Sequence, residues 1–295
     1  MPRKNLGTVT TVVLVIILAS AVLISGYLYF FGRSLFFGEQ TNNNAKVGGT
    51  AHFYKDPKTD ISKMAVKIFY VVPKNRKGEV AFAWDEPIKS ALEKISEFHK
   101  VQFHGLSSLR YGIFPKPVIL EQDESFYNTT STADGNPRGL VSIAEEIERR
   151  VFKPDGDIYD PEFVRFQEGE YPVMGLIYEG VGASGGVIYE TKTEKTKEEI
   201  AKELGVPESI VYIVDVQSVK GFFLLNHEFL RTKEFSVYGA TFLYHEFAHA
   251  YGLPDRGESG EIKQDNDIMG LGRRDPIETT FIGSDILKDL GVIPK

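Results

Sequence analysis

The sequence predicts an α+β fold in which a mixed, twisted β-sheet packs against helices, behind an apolar N-terminal segment. Two observations predict this fold. Segments with the residue spacing of strands alternate along the chain with segments that have helical spacing. About 235 residues follow the N-terminal region, which is enough for one domain with a sizeable core.

The predicted elements follow one another in a strand and helix order. Residues 65–72 form a β-branched and aromatic run that ends at Pro73 and predicts the first strand, and residues 88–98 have helical spacing. The elements predicted after these are a short strand at 117–120, a helix at 141–152, strands at 171–179 and 210–216, a helix at 238–251 and a helix over 284–291 that Ser284 caps. The glycine-rich stretch 180–186 predicts a flexible loop or bulge.

An uncharged stretch near the N-terminus, residues 6–31, is long and apolar enough to cross a bilayer as a helix. Arg3 and Lys4 precede it, so we expect residues 1–5 to stay cytoplasmic and the rest of the chain to be exported. Residues 32–60 then predict a flexible stalk, followed by a domain over 61–295. The alternative is a secreted protein, released by signal cleavage at Ala19-Ser20-Ala21.

The stretch His245-Glu246-Phe247-Ala248-His249 predicts a metal site. On a helix, histidines four residues apart have Cβ atoms roughly 5–6 Å from each other, so both imidazoles can reach one metal ion. Glu246 lies about 100° around the helix axis from His245 and can lean over the open side of the metal. That is the place of a general base.

A third ligand has to come from beyond this helix, because catalytic zinc takes three protein ligands and keeps one position for water. Gly252 can adopt the positive φ that ends a helix, and Pro254 prevents the helix from continuing. The chain therefore turns, and Asp255 follows with an oxygen ligand. The sequence predicts one zinc ion held by His245, His249 and Asp255.

The pattern HExxHxxGxxD, which runs from His245 to Asp255, resembles the signature of the metzincin clan of zinc peptidases. Most metzincins have histidine at the last position, and Asp255 makes the chain similar to the snapalysin type. Asp267-Ile268-Met269-Gly270 resembles the methionine turn of the clan, and 284–291 resembles its C-terminal helix. The resemblance implies a metzincin-like domain with a structural methionine turn at Met269.

This resemblance implies a membrane-anchored zinc metalloendopeptidase that cleaves protein or peptide substrates outside the cytoplasm. Glu246 would act as general base toward a water molecule that the metal activates. The residue that stabilises the oxyanion remains open among four candidates, which are Tyr238, Tyr251, Arg273 and Arg274. The alternative is a catalytically idle metal-binding surface protein used for binding or adhesion, although Glu246 argues against it.

Two other metal arrangements compete with the one above. In a gluzincin arrangement the third ligand is a glutamate on a later helix, and Glu258, Glu261 and Glu278 are available. The cluster Asp265-Asn266-Asp267 is a candidate calcium site. It is not an EF-hand, because the twelfth position of such a loop would be Pro276 instead of glutamate. Calcium in another loop geometry stays open.

Composition excludes several classes of function. The chain has no cysteine, which rules out a disulfide framework and a zinc–thiolate site. Its net charge of −7, with no basic stripe, argues against a nucleic-acid surface. The expected partners are a protein or peptide substrate and the membrane, and the sequence does not specify an oligomeric state.

Overall fold

A β-sheet with helices on both faces forms the part of the chain that the structure, a computed structural model, describes. The described residues are 49–128, 137–180, 185–188, 196, 198–199, 202, 215–233, 235–256 and 266–294. The predicted membrane segment, residues 6–31, lies outside them. Within the described ranges, no helix combines the length and the apolar composition that crossing a membrane requires.

Eight strands form two sheets in this part of the chain. Strands β1 (His52–Phe53) and β2 (Asp56–Asp60) pair as a hairpin. The main sheet contains β3 (Lys63–Val72), β4 (Ser108–Ile113), β5 (Val118–Ile119), β6 (Tyr171–Tyr178), β7 (Gly185–Ile188) and β8 (Gly221–Asn226). Its order is β4-β3-β6-β8-β7, and β5 also pairs with β3. The pairs are parallel except for β7 with β8, which is antiparallel.

Six α-helices have both of their ends within the described ranges. They are α1 (Asp85–Gln102), α2 (Glu124–Tyr127), α3 (Pro137–Ile147), α4 (Glu228–Arg231), α5 (Gly239–His249) and α6 (Ser284–Asp289). Helix α3 continues directly into a π-helical turn at Glu148–Phe152. In addition, 3₁₀ turns occupy Lys74–Glu79, Leu271–Arg274 and Ile277–Thr279.

The central strands are buried on both faces, which produces two apolar layers. On β3, Ile68 and Tyr70 belong to the layer that α1, α5 and α6 cover, whereas Phe69 and Val71 belong to the layer that α3 covers. Successive side chains of a strand point to opposite faces, so a strand with helices on both sides has to be apolar throughout. Helix α5, which carries His245 and His249, lies on the first face.

The predicted mixed sheet with helices is confirmed at this level, since the architecture is mixed α/β with a largely parallel sheet. Predicted strands at 65–72, 117–120 and 171–179 correspond to β3, β5 and β6, and predicted helices at 88–98 and 238–251 correspond to α1 and α5. The predicted helix at 141–152 corresponds to α3 with its π-helical turn.

Other strands differ from the prediction. Strands β4 and β8 were not predicted, and the continuous apolar run of β8 has no alternation that separates a strand from a buried helix. Gly185 and Gly186, predicted as part of a loop, begin β7 instead. Of the predicted strand at 210–216, residues 215 and 216 are not in a strand, and the rest lies outside the described residues.

The folded unit begins earlier than the predicted boundary at residue 61. The backbone N–H of His52 donates to the carbonyl of Leu290 (2.9 Å), and the N–H of Tyr54 donates to the carbonyl of Tyr251 (3.3 Å). Ala51 is fully buried. Residues that resemble a polar stalk in sequence therefore belong to the domain, because these long-range bonds fasten them to α5 and α6.

A buried hydrogen-bond chain connects α1 to α5. His99 is fully buried, with Nδ1 2.9 Å from the Tyr244 hydroxyl and Nε2 2.8 Å from Ser107 Oγ. Ser107 donates its own hydroxyl proton to the carbonyl of Ile61 (2.6 Å), so Nε2 of His99 is the donor and Nδ1 accepts from Tyr244. Burial lowers the pKa of His99 to about 3.

We expect acid to destabilise the protein through His99. In the unfolded chain this histidine takes up a proton as the pH falls through 6.5, whereas the folded protein resists the proton down to about pH 3. The free energy of unfolding should therefore fall by about 1.4 kcal/mol per pH unit in that window. Urea unfolding measured between about pH 7 and about pH 4 gives the free energy of unfolding at each pH. Its dependence on pH should be weaker in His99→Gln than in the native chain.

The matched control is His104→Asn, which changes an exposed histidine at a positive φ that asparagine tolerates. The control should keep the slope of the native chain. Equal slopes in His99→Gln and in the native chain would show that His99 does not carry the acid sensitivity.

Candidate metal centre

Helix α5 approaches its neighbours so closely that two glycines are required. A Cβ on Gly221 of β8 would lie 2.3 Å from the carbonyl oxygen of Ala250, just past the end of the helix. A Cβ on Gly239, at the start of the helix, would lie 2.3 Å from the carbonyl oxygen of Phe229. The helix is therefore held at both ends by backbone contacts that admit no side chain.

The end of α5 is a Schellman motif centred on Gly252, which has a φ of +101°. The N–H of Gly252 donates to the carbonyl of His249 (3.0 Å), and the N–H of Leu253 donates to the carbonyl of Ala248 (3.2 Å). The positive φ predicted for Gly252 is confirmed. This termination also orients a ligand, because the carbonyl of Leu253 accepts a hydrogen bond from Nδ1 of His249 (2.7 Å).

The three predicted ligands, His245, His249 and Asp255, lie together. Nδ1 of His245 donates to the carbonyl of Ile268 (2.9 Å), as Nδ1 of His249 does to Leu253. The two Nε2 atoms are 3.3 Å apart. Oδ1 of Asp255 lies 3.3 Å from Nε2 of His245 and 3.7 Å from Nε2 of His249. The three atoms form a nearly equilateral triangle.

This triangle fits zinc. Ligand atoms about 2.0–2.1 Å from a tetrahedral centre are about 3.3–3.4 Å apart, which matches two of the three separations. Because each Nδ1 donates to a carbonyl, each Nε2 presents a lone pair to the same point. Within the described ranges, no other group of three or more histidine and carboxylate side chains is placed to hold a metal ion. Three ligands leave the fourth position open for water or substrate.

Glu246 is a buried carboxylate beside these ligands. Its side chain is 6% exposed, and no hydrogen bond within the described part of the chain reaches it. Burial raises the pKa of Glu246 to about 7, and the charges of His245 and Arg273 oppose that rise while Asp255 adds to it. A carboxyl group of this pKa can both take and return a proton near neutral pH.

The ligands carry their own counter-charges before a metal binds. Burial lowers the pKa of His245, but the hydrogen bond to Asp255 and the charge of Glu246 outweigh burial and raise it above its usual value. The same hydrogen bond holds the pKa of Asp255 below its usual value. Burial and the charge of His245 lower the pKa of His249. A metal ion binds Nε2 of His245 only when that atom carries no proton, so protons compete with the metal ion for this residue.

The predicted methionine turn lies next to the histidines. The N–H of Gly270 donates to the carbonyl of Asp267 (2.9 Å), which closes a turn with a fully buried Met269 inside it. Ile268, between these residues, supplies the carbonyl that orients His245. The sequence identified Met269 but gave no signal for the role of the Ile268 carbonyl, since any residue has one.

The structure separates the four candidates for the oxyanion partner. Nη1 of Arg273 lies 3.5 Å from Oδ1 of Asp255, at the site. Tyr251 is fully buried and its hydroxyl bonds to that of Tyr244 (3.0 Å), so it cannot serve the site as proposed from sequence. Tyr238 packs against aromatic rings near the start of α5. Arg274 is exposed.

The competing metal arrangements receive no support from the described residues. Glu278 is exposed and pairs with Lys94 (3.1 Å), away from the histidines. Glu258 and Glu261 lie outside the described residues, as does Asp265 of the suggested calcium cluster. The carboxylate of Asp267 in that cluster forms an ion pair with the guanidinium of Arg256, which supplies the positive charge that a calcium ion would otherwise supply.

Comparison with solved structures finds chains whose structure is similar to that of this chain. No family model matches the chain, and no curated protein matches it. Its structure is similar to the crystal structure of a zinc-dependent peptidase from Methanocorpusculum labreanum (strain Z), with a TM-score of 0.30 and 10% sequence identity over 76% of this chain and 99% of that chain. A likeness this weak says nothing about the activity of this chain.

We expect the chain to bind one zinc ion per molecule through His245, His249 and Asp255. Loss of a ligand costs more than loss of a group that only orients one, so His249→Ala should weaken zinc binding by more than about 100-fold. Elemental analysis after dialysis gives the stoichiometry, and competition with a chelator gives the affinity. His104→Asn is the control, and equal zinc contents in the two variants would contradict the site.

Proposed function

We propose that this chain is a zinc-dependent peptidase of the metzincin clan, similar to the snapalysin type, that hydrolyses peptide bonds outside the cytoplasm. The observation that carries the proposal is the convergence of His245, His249 and Asp255 on one point, with the buried carboxylate of Glu246 beside it. The pattern HExxHxxGxxD supports the choice of clan.

The surroundings of the site support the same proposal. Each element that the resemblance implies has a counterpart in the described chain: a mixed sheet, the histidine-bearing helix α5, a turn around Met269 and a short C-terminal helix, α6. The counterparts also occur in the implied order.

The proposed mechanism assigns a task to each side chain. Zinc, when bound, supplies a Lewis acid that polarises the scissile carbonyl and lowers the pKa of a water molecule. Glu246 takes the proton from that water and returns it to the amine that leaves. The bonds from Nδ1 of His245 and His249 to carbonyls keep both rings oriented. Arg273 is the candidate for stabilising the negative charge that develops on the carbonyl oxygen.

Strand β7 is the proposed place of substrate binding. It lies at one end of the strand order and runs antiparallel to β8. Helix α5, which carries His245 and His249, packs against both strands, so a substrate on β7 would lie alongside the helix that carries the predicted ligands. An extended peptide that adds to β7 would gain main-chain hydrogen bonds and would cross the sheet edge beside the metal.

The proposal includes a location and an anchor. The apolar stretch 6–31, preceded by Arg3 and Lys4, supports a single membrane-spanning anchor with the catalytic domain outside the cytoplasm. Release by signal cleavage would give a secreted peptidase instead. The location does not affect the chemistry proposed for Glu246.

We expect Glu246→Gln to keep zinc and to lose peptide cleavage. Removal of a general base typically costs about 10²–10⁴-fold in rate, so kcat/KM should fall by that factor. Cleavage of a broad peptide library, with zinc content measured on the same samples, checks this. Glu278→Gln changes an exposed glutamate away from the histidines and is the control. Unchanged cleavage in Glu246→Gln would remove Glu246 from the mechanism, whereas an unchanged biological effect would favour the catalytically idle surface protein.

We expect Arg273→Gln to lower kcat by about 10²-fold, because removal of one oxyanion donor costs about 10²–10³-fold. Arg274→Gln changes the neighbouring, exposed arginine and should retain the native kcat. Zinc content should be unchanged in both. Equal losses in the two variants would indicate a general effect of charge and would remove Arg273 from the mechanism.

A further inference from the structure

The third ligand has few constraints on its own side chain. The Asp255 side chain is 60% exposed, and its carboxylate contacts His245, His249 and, at 3.5 Å, Arg273. Its position therefore depends on the backbone on either side of it. On the N-terminal side, the bonds of Leu253 to α5 provide the constraint.

Arg256 provides the constraint on the C-terminal side of Asp255. Its backbone N–H donates to the carbonyl of Met269 (2.8 Å). Its guanidinium donates to Oδ2 of Asp267 (2.5 Å) and reaches the carboxylate of Asp285 at 3.0 Å. The residue next to the third ligand is thus fastened through both its backbone and its side chain.

Asp267 is the centre of this arrangement. It is 1% exposed, and within the described ranges its carboxylate accepts hydrogen bonds from the guanidinium of Arg256, the N–H of Met269 (2.9 Å) and the N–H of Gly283 (3.1 Å). A Cβ on Gly283 would lie 2.6 Å from Oδ2 of Asp267, so the carboxylate fills the space at the start of α6. One buried side chain joins the segment of Asp255, the methionine turn and α6.

We infer that Asp267 is a positioning residue for the third metal ligand, acting through Arg256 to hold Asp255 in the ligand triangle. The inference rests on the proposed metal site. A charge-assisted bond between a buried carboxylate and a guanidinium is stronger and more directional than a neutral hydrogen bond. Removal of a group that orients a metal ligand typically lowers metal affinity by about 10–100-fold.

A double-mutant cycle on zinc affinity tests this route. The dissociation constant of zinc is measured by chelator competition on the full-length chain, for the native protein, Asp267→Asn, Asp255→Ala and the double variant. Asp267→Asn should weaken zinc binding by about 10–100-fold when Asp255 is present. It should change zinc binding by no more than about twofold when Asp255 is alanine.

The opposite result has a clear structural meaning. Asp267 also bonds to the N–H of Met269, in the turn whose Ile268 carbonyl orients His245. If Asp267→Asn still weakens zinc binding by about 10–100-fold in the Asp255→Ala background, Asp267 acts through His245 and not through Asp255. That result would overturn the inference. No loss in either background would overturn it as well.

Matched variants separate positioning from general stability. Asp285→Asn removes a carboxylate that contacts the same guanidinium but is 67% exposed, and it should leave zinc affinity within about twofold of the native value. Arg256→Lys keeps the positive charge and the N–H to Met269 but loses the two-armed contact. If Asp267→Asn does not fold, the same cycle with Arg256→Lys decides the question with the same criteria.

The test distinguishes this inference from the proposed function because it measures zinc and not cleavage. A native chain that binds no zinc would overturn both. A native chain whose zinc affinity falls in Asp255→Ala but not in Asp267→Asn or Arg256→Lys would overturn only the inference. Zinc binding with the expected cycle but without cleavage of any peptide would overturn the proposed function and leave the positioning role supported.

Discussion

The burial of α5 against the sheet is the constraint on which the metal centre depends. His245 and Glu246 lie in the second half of this helix and are buried, at 4% and 6% exposure, among apolar residues that are fully buried. A buried imidazole N–H is costly without an acceptor, so the surrounding chain has to supply acceptors for the histidine rings. The carbonyls of Ile268 and Leu253 do so, and they thereby aim both Nε2 atoms at one point. The same two hydrogen bonds therefore satisfy the buried N–H groups and orient the Nε2 atoms.

The residues of the candidate site could be predicted from sequence because their relations are local. His245 and His249 are placed by the helical repeat, and Asp255 follows from the helix end at Gly252, whose positive φ the structure confirms. The groups that orient them could not be predicted. A backbone carbonyl such as that of Ile268 leaves no mark in the sequence, and the contact of Asp267 with Arg256 depends on how the chain folds back.

The fold shows the same division between local and distant causes. Strand β3 was predicted from its β-branched run, whereas the hairpin of β1 and β2 looked like a stalk because much of β2 is polar. Its place is set by bonds from His52 and Tyr54 to residues more than half the chain away. Ser284 was predicted to cap α6, but Gly283 occupies the N-cap, and Asp267 accepts the Gly283 N–H.

Two buried carboxylates in this region have opposite environments, and the difference fits the different tasks proposed for them. Glu246 receives no hydrogen bond within the described residues, so burial favours its neutral form and its pKa rises to about 7. Asp267 receives several, one of them from a guanidinium, and such an environment favours the charged form. A carboxylate that has to exchange a proton needs few donors, and one that has to hold a position needs many. In the proposed peptidase these two requirements fall on separate residues, Glu246 on α5 and Asp267 in the methionine turn.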